Sequence, residues 1–354
     1  MNLPESHMAQ PYLTDLVPGI GGKIRVHPED FQVDERPLYL PCGTGEHLYI
    51  RVRKRLLSTP DLVRKLSSVL GIKVQGIGTA GLKDARAVTT QMISLHFGTA
   101  ELLARLKPDE QILAIEVLGR HRNRLRPGHH AGNRFRLVIR DVGAHAKDSV
   151  PAVLDLLSRR GVPNYFGPQR QGKTGDNFQI GAALLGDRAR REQMSRANRV
   201  WYLNAFQSYL FNRILARRID RLDRVLVGDW AMKLDNGACF PVEDAEKEQP
   251  RADRFEISPT GILFGSRVSW ATGEPGDIER AAIAEHGGTP EGLTEAARDC
   301  GFRGERRALR VRLEELEWSL SGDTVTLSFA LPPGAYATSV LRELMKQESS
   351  PLGA

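Results

Sequence analysis

Gly78-Thr-Ala-Gly-Leu-Lys-Asp-Ala-Arg-Ala-Val-Thr-Thr-Gln91 decides how the rest of the chain is read. It predicts the end of one strand, a glycine-permitted loop, and a second strand starting near Val88. An exposed Lys83-Asp84 pair would sit at the tip. A carboxylate on such a loop can be held in a cleft by a rigid scaffold. An aspartate after Gly-Leu-Lys is equally an ordinary turn residue bonding its own backbone.

Outward from this loop, strand and helix signals alternate. His47–Arg55 reads as a strand. Thr59 to Leu70 reads as a helix with Thr59 as N-cap, Pro60 in the first turn and Gly71 as its stop. Leu62, Val63, Leu66, Val69 and Leu70 supply its apolar stripe. Val88–Phe97 and Gln111–Leu118 have strand character. In Asn133–Val142, Phe135, Leu137 and Ile139 alternate with Arg134, Arg136 and Arg140. A helix follows from Val150 to Arg160.

The middle of the chain is more helical. Val200–Leu222 is one long helix, Asn236-Gly237 marks a hairpin, and two short helices follow. After Arg306 strands return, and Ala335–Gln347 closes with a helix. The β-rich text thus flanks a helical block. This predicts an α+β protein with one split domain, residues 1–158 and 305–354, and a second domain, 159–304, inserted in it.

The bulk numbers narrow the function. With 41% hydrophobic and 26% charged residues the chain has the composition of a folded protein. No window approaches the roughly eighteen apolar residues of a membrane span, and no secretory signal is readable at the N-terminus. Cys42, Cys239 and Cys300 are too few and too scattered for a disulfide framework or a thiolate zinc site, so a cytoplasmic setting is expected. The net charge of +7 favours a polyanionic partner. Between Arg120 and Arg136 lie six arginines, three histidines and no acid. A second run adds Arg188, Arg190, Arg191, Arg196 and Arg199. Guanidinium groups at this density suit a phosphate backbone, which arginine grips bidentately.

Residues Ala80 to Thr89 resemble the signature A-G-x-K-D-x-x-A-V-T of the tRNA pseudouridine synthase D (TruD) family. Five further segments resemble the same family: His27–Glu35, Gly132–Arg140, Gly161–Arg170, Leu203–Asn212 and Pro332–Leu344. The resemblance implies a pseudouridine synthase fold, a mixed sheet with helices, split by a family-specific α/β domain, with the RNA held in a cleft between the two. It implies Asp84 as the catalytic aspartate. Phe31, Asn133 and Tyr336 match positions that contact the target nucleotide, and Phe135 matches an aromatic that packs on the target base. Arg25 stands where the family usually has a basic partner of the aspartate, often lysine.

The implied substrate is tRNA, at uridine-13 of the D arm, with no cofactor, no metal and no obligatory protein partner. Isomerising uridine loses no atom and changes no oxidation state, so none is required. A carboxylate can attack the anomeric carbon or remove a sugar proton, and the residues do not choose between the routes. Either needs the charged carboxylate, which a cation such as Arg25 would favour. The uridine must leave its stack, and an aromatic can receive it. A non-catalytic RNA-binding protein with the same basic cleft is the alternative, but such a protein has no use for a carboxylate facing phosphates.

Overall fold

The computed structural model describes residues 10–172, 174–286 and 288–347. They pack as two compact units. One, the sheet unit, is Ile20–Lys147 with Leu313–Ala335. The other, the helical unit, comprises the described parts of Met1–Gly19, Asp148–Arg312 and Tyr336–Ala354.

The sheet unit is built on nine strands. They are β1 (Lys23–Ile24), β2 (Phe31–Pro37), β3 (His47–Arg55), β4 (Ile77–Thr79), β5 (Val88–His96), β6 (Ile112–His121), β7 (His130–Arg140), and the hairpin Glu314–Ser321/Thr324–Leu331. From the hairpin inward the order is Glu314–Ser321, Thr324–Leu331, β7, β2, β5, β3, β6. β1 also pairs with β7, and β4 with β5. Only the β2–β5 pairing is parallel.

Alternation decides which face is buried. On β3, Leu48, Ile50 and Val52 point inward and meet Leu62, Leu66 and Leu70 of helix α1 (Thr59–Leu70), with Ile93 and Leu95 of β5. Gly71 ends α1 in the left-handed conformation, φ 68°, as a glycine stop requires. The start of α1 differs from expectation. Ser58 is the N-cap, its side chain accepting from the Asp61 N–H, and Thr59 is already helical. Ser58 has the extended backbone a cap needs, which leaves the Thr59 hydroxyl for other work.

The helical unit buries the aromatic text of the middle segment. Its long helix, Arg196–Arg218, contributes Phe206, Tyr209, Leu210, Phe211 and Leu215 to the core. Asn212 clamps the turn at Phe166, accepting from its N–H at 2.9 Å and donating to its carbonyl at 3.0 Å. A four-stranded sheet runs in the order Cys239–Pro241, Trp230–Lys233, Ile257–Leu263, Glu305–Ala308, and the first two strands form the hairpin around Asn236-Gly237. The text after Arg306 divides among three sheets: Glu305–Ala308, then Arg310–Val311 paired with Val162–Pro163, then Glu314–Ser321 in the sheet unit. Arg310 falls in this division because its fully buried guanidinium donates to the carbonyls of Arg160 and Ala252. The helix read from Val150 starts earlier, at Ala146, and takes Pro151 into its interior. No described helix is long and apolar enough to cross a membrane.

Candidate active site

Two irregularities in the sheet meet at the Asp84 loop. β1 and β2 both lie along β7, Ile24 opposite Ile139 and Phe31 opposite Leu137, and between them the chain arches away from Arg25 to Asp30. Arg25 starts the arch at φ 57°, a sparsely populated region for a side-chain-bearing residue. Asp30 ends it, accepting two bonds from Arg140 (2.8 and 3.0 Å) and one from the His27 N–H (2.9 Å). Likewise β4 and β2 both pair with β5, at its end and at its start, and loop 80–87 connects β4 back to Val88.

Arg25 joins the two. Its Nη2 lies 2.7 Å from Asp84 Oδ2, and its guanidinium carbon lies 4.1 Å from the centroid of the Phe31 ring. The Asp84 side chain is 55% exposed and that of Arg25 20%, while Phe31 is buried. A buried aromatic thus carries a largely covered cation, which meets an open carboxylate. Leu82 and Val26, flanking these residues in sequence, are exposed aliphatics.

The backbone of the loop is held from inside. Thr59 Oγ1, free of capping, accepts from the Lys83 N–H at 2.8 Å and donates to Gln91 Oε1 at 2.9 Å. Lys83 is not exposed, contrary to expectation. Its Nζ lies 2.6 Å from Glu35 Oε2, both side chains almost wholly removed from water, and Glu35 Oε1 accepts from the Met92 N–H. An unpaired buried carboxylate at Glu35 would be costly, and the lysine next to Asp84 is drawn inward to meet it. Lys54, fully buried, donates to the carbonyls of Leu57 and Asp84.

Strand register brings more residues to the same side. Glu35 stands opposite Asn133 and Val33 opposite Phe135 on β7, Val33 opposite Thr89 on β5, and Lys54 opposite Thr89 on β3. Opposed residues share a face. One face therefore bears Phe31, Glu35, Asn133, Phe135, Thr89, Gln91 and Lys54. Phe135 is buried against Phe329, ring centroids 5.5 Å apart. Asn133 is half-buried and follows Gly132, where a Cβ would come within 2.3 Å of the Leu331 carbonyl oxygen. Several buried polar atoms here lack any hydrogen-bond partner: Arg25 Nε, Thr89 Oγ1, Gln91 Nε2 and Asn133 Oδ1. Such groups are few in native interiors. Tyr336 belongs to the helical unit, where it precedes the helix Ala337–Met345 and packs against the cluster of Tyr165, Phe166 and Phe211.

The arginine runs divide by role. Arg122, Arg126 and Arg136 are exposed. Arg124 donates to the Ile77 carbonyl at 2.6 Å, Arg120 to that of Gly98, and Arg134 pairs with Glu315. In the second run Arg191 is buried and satisfies the carbonyls of Leu184 and Leu185 at a helix end.

A family model described as tRNA pseudouridine synthase D (TruD) matches residues 7–193 and 187–344. The chain belongs to this family. Proteins named tRNA pseudouridine synthase D are similar over nearly their whole length. That of Syntrophotalea carbinolica is 40% identical, covering 95% of this chain and 99% of the relative. That of Anaeromyxobacter dehalogenans is 45% identical, covering 96% and 97%. A crystal structure from Methanosarcina mazei described as a TruD protein superposes with a TM-score of 0.84, at 25% identity, over 98% of this chain and 99% of that one. The α+β architecture expected from the sequence is therefore the TruD form of the pseudouridine synthase fold, and the chain is an enzyme of the isomerase class.

The sequence reading assigns Lys54, Glu35 and Gln91 no part in the site, and Thr59 only that of a helix cap. A signal for two of them was there. Lys54 continues the inward positions Leu48, Ile50 and Val52, and Glu35 continues Phe31 and Val33. A charge at the next inward position of an alternating strand marks a buried polar contact, a lysine for Glu35 and backbone carbonyls for Lys54.

Proposed function

We propose that this chain converts uridine to pseudouridine in tRNA, at position 13 of the D arm, with Asp84 as the reacting carboxylate. The observation that carries the reading is the Arg25–Asp84 pair at 2.7 Å, open to solvent on the carboxylate side and anchored from within on the other. The reaction breaks the bond between N1 of uracil and the anomeric carbon. The ring then turns, a bond forms from that carbon to carbon 5, and the carbon 5 hydrogen leaves as a proton while N1 takes one up. Asp84 can enter by attack on the anomeric carbon or by removing a sugar proton. Both routes use the same charged oxygen, and Arg25 orients it.

The half-buried Asn133 carries an amide donor and an acceptor, which suit the imide edge of uracil, with its one N–H and two carbonyl oxygens. Phe135, two residues along from Asn133 on the same face, forms an apolar floor with Phe329. Phe31 acts through Arg25, and Tyr336 is assigned to the nucleotide on the family resemblance alone. The exposed arginines Arg122, Arg126 and Arg136 supply the phosphate contacts. The sheet unit is on this reading the catalytic part of the chain.

The test uses tRNA carrying tritium at carbon 5 of uridine-13 only. Wild-type protein should release the label, also in EDTA. Asp84→Asn, nearly the same shape without the charge, should release none above background while still shifting tRNA in a binding gel. No release by the wild type from this tRNA would sink position 13, no release from unmodified tRNA labelled at carbon 5 of every uridine would sink the reading, and an active Asp84→Asn would remove Asp84 from the chemistry.

A further inference from the structure

Lysine is almost never fully buried without an ion-pair partner, yet Lys54 is 0% exposed. Among the described residues no carboxylate forms an ion pair with it. Its Nζ donates instead to two carbonyls, that of Leu57 and, at 3.4 Å, that of Asp84. The charged groups facing it are the Asp84 carboxylate, taken by Arg25, and the Lys83 ammonium, taken by Glu35. Burial is the largest influence on the amine and pulls it down to about 8, with the Lys83 charge adding to the fall and Asp84 opposing it.

We propose that Lys54 is a positioning residue whose ammonium fixes the Asp84 carbonyl from inside the sheet unit and so sets the direction of the Asp84 carboxylate. The inference rests on Asp84 as the reacting group. Thr59 holds the N–H of Lys83, which belongs to the peptide before that residue. Lys54 holds the carbonyl of Asp84, which belongs to the peptide after it. With both peptides fixed, the Asp84 Cα cannot swing. Bonds donated by an ammonium are about twice as strong as those of a neutral amine, so the hold weakens when Lys54 loses its proton.

Activity and stability then move in opposite directions. Turnover falls as pH rises through about 8. The unfolded chain keeps the lysine protonated up to its ordinary value of 10.5. Between the two it binds more protons than the folded chain, and the Lys54 contribution to stability rises with pH. A purely structural lysine would not separate the two.

The experiment measures tritium release under single turnover from about pH 7 to 9, with tRNA affinity and melting temperature at each pH. It compares wild type, Lys54→Met, Lys54→Arg and Asp84→Asn. Wild type should lose turnover above about pH 8 with affinity and melting maintained. Lys54→Met should lose roughly a hundredfold in turnover, with little change in affinity and no alkaline limb of its own. Lys54→Arg, charged throughout, should exceed the methionine variant and carry its activity to higher pH than wild type. Wild-type turnover and an unmoved limb in Lys54→Met would overturn the inference. Where Lys54→Met fails to fold, a limb unmoved in Lys54→Arg overturns it, and a flat wild-type profile does so alone. An active Asp84→Asn would instead refute the functional reading beneath it.

Discussion

The guanidinium carbon of Arg25 lies 4.1 Å from the centroid of the buried Phe31 ring, so the aromatic reaches Asp84 only through the cation it supports. Arg25→Met should lower turnover far more than tRNA affinity, and Arg25→Lys should keep most activity because an ammonium can also meet the carboxylate. Phe31→Leu should cost about 1 kcal/mol of stability, as near volume-conserving core changes do, and part of the turnover. The double variant Arg25→Met/Phe31→Leu should then turn over no more slowly than Arg25→Met. Fully additive losses, read from single-turnover tritium release, would mean that Phe31 touches the nucleotide on its own.

The exposed arginines make a separate prediction. Arg122→Ala with Arg136→Ala should weaken tRNA binding and make its dependence on salt shallower, by about one unit of slope for each phosphate that is no longer neutralised. Arg191→Ala should leave that slope unchanged. It should instead lower the melting temperature, because two carbonyls at a helix end are deprived of their buried donor. The same slope in both proteins would return Arg122 and Arg136 to an ordinary solvated surface.

Much of this site was legible because local rules and tertiary packing agree in it. The break in pattern from Gly78 to Val88 gave the loop, and the alternation through Phe135, Leu137 and Ile139 gave the buried face. What misled was competition for the same atoms. Ser and Thr adjoin at 58 and 59, either hydroxyl can cap, and only the fold shows Thr59 claimed by Lys83 and Gln91. Lys83 reads as a loop-tip charge until a carboxylate 48 residues away, Glu35, is known to be buried beside it. The arginine text is uniform by composition, yet the fold ties Arg124 and the buried Arg191 to backbone carbonyls and leaves Arg122 to solvent.

Asp30 ties the Arg25 arch to pH. Burial alone would raise its carboxyl, but the Arg140 guanidinium and the His27 N–H outweigh that and hold it below the ordinary value of 3.8. A carboxyl depressed in the folded state adds stability above its unfolded value and loses it as pH falls through the folded one. Asp30→Asn should therefore melt lower than wild type at neutral pH, and the gap should close on acidification below about pH 4. A gap that does not depend on pH would show that the Arg140 contact contributes no charge-linked stability.

The neighbours Ser58 and Thr59 should divide stability from turnover. Ser58 caps α1: its hydroxyl oxygen accepts from the Asp61 N–H at 3.2 Å, within the helix's own first turn. Ser58→Ala should thus cost about 1 kcal/mol of stability, the usual worth of a cap, with turnover unchanged at temperatures where the variant is folded. Thr59 is buried, and its hydroxyl joins the Lys83 N–H to the Gln91 side chain. Thr59→Val keeps the shape and removes both bonds, so the peptide before Lys83 can shift and Asp84 with it. A misplacement of about 1 Å can cost on the order of a hundredfold in rate, and Thr59→Val should lose between roughly ten- and a hundredfold in single-turnover rate at unchanged tRNA affinity. Some stability should go as well, because the Lys83 N–H is left buried and unpaired. The comparison is made between variants matched in melting temperature, so that loss of fold is not read as loss of alignment. Should Thr59→Val turn over as fast as Ser58→Ala under those conditions, the hydroxyl is structural only and the loop keeps its geometry without it.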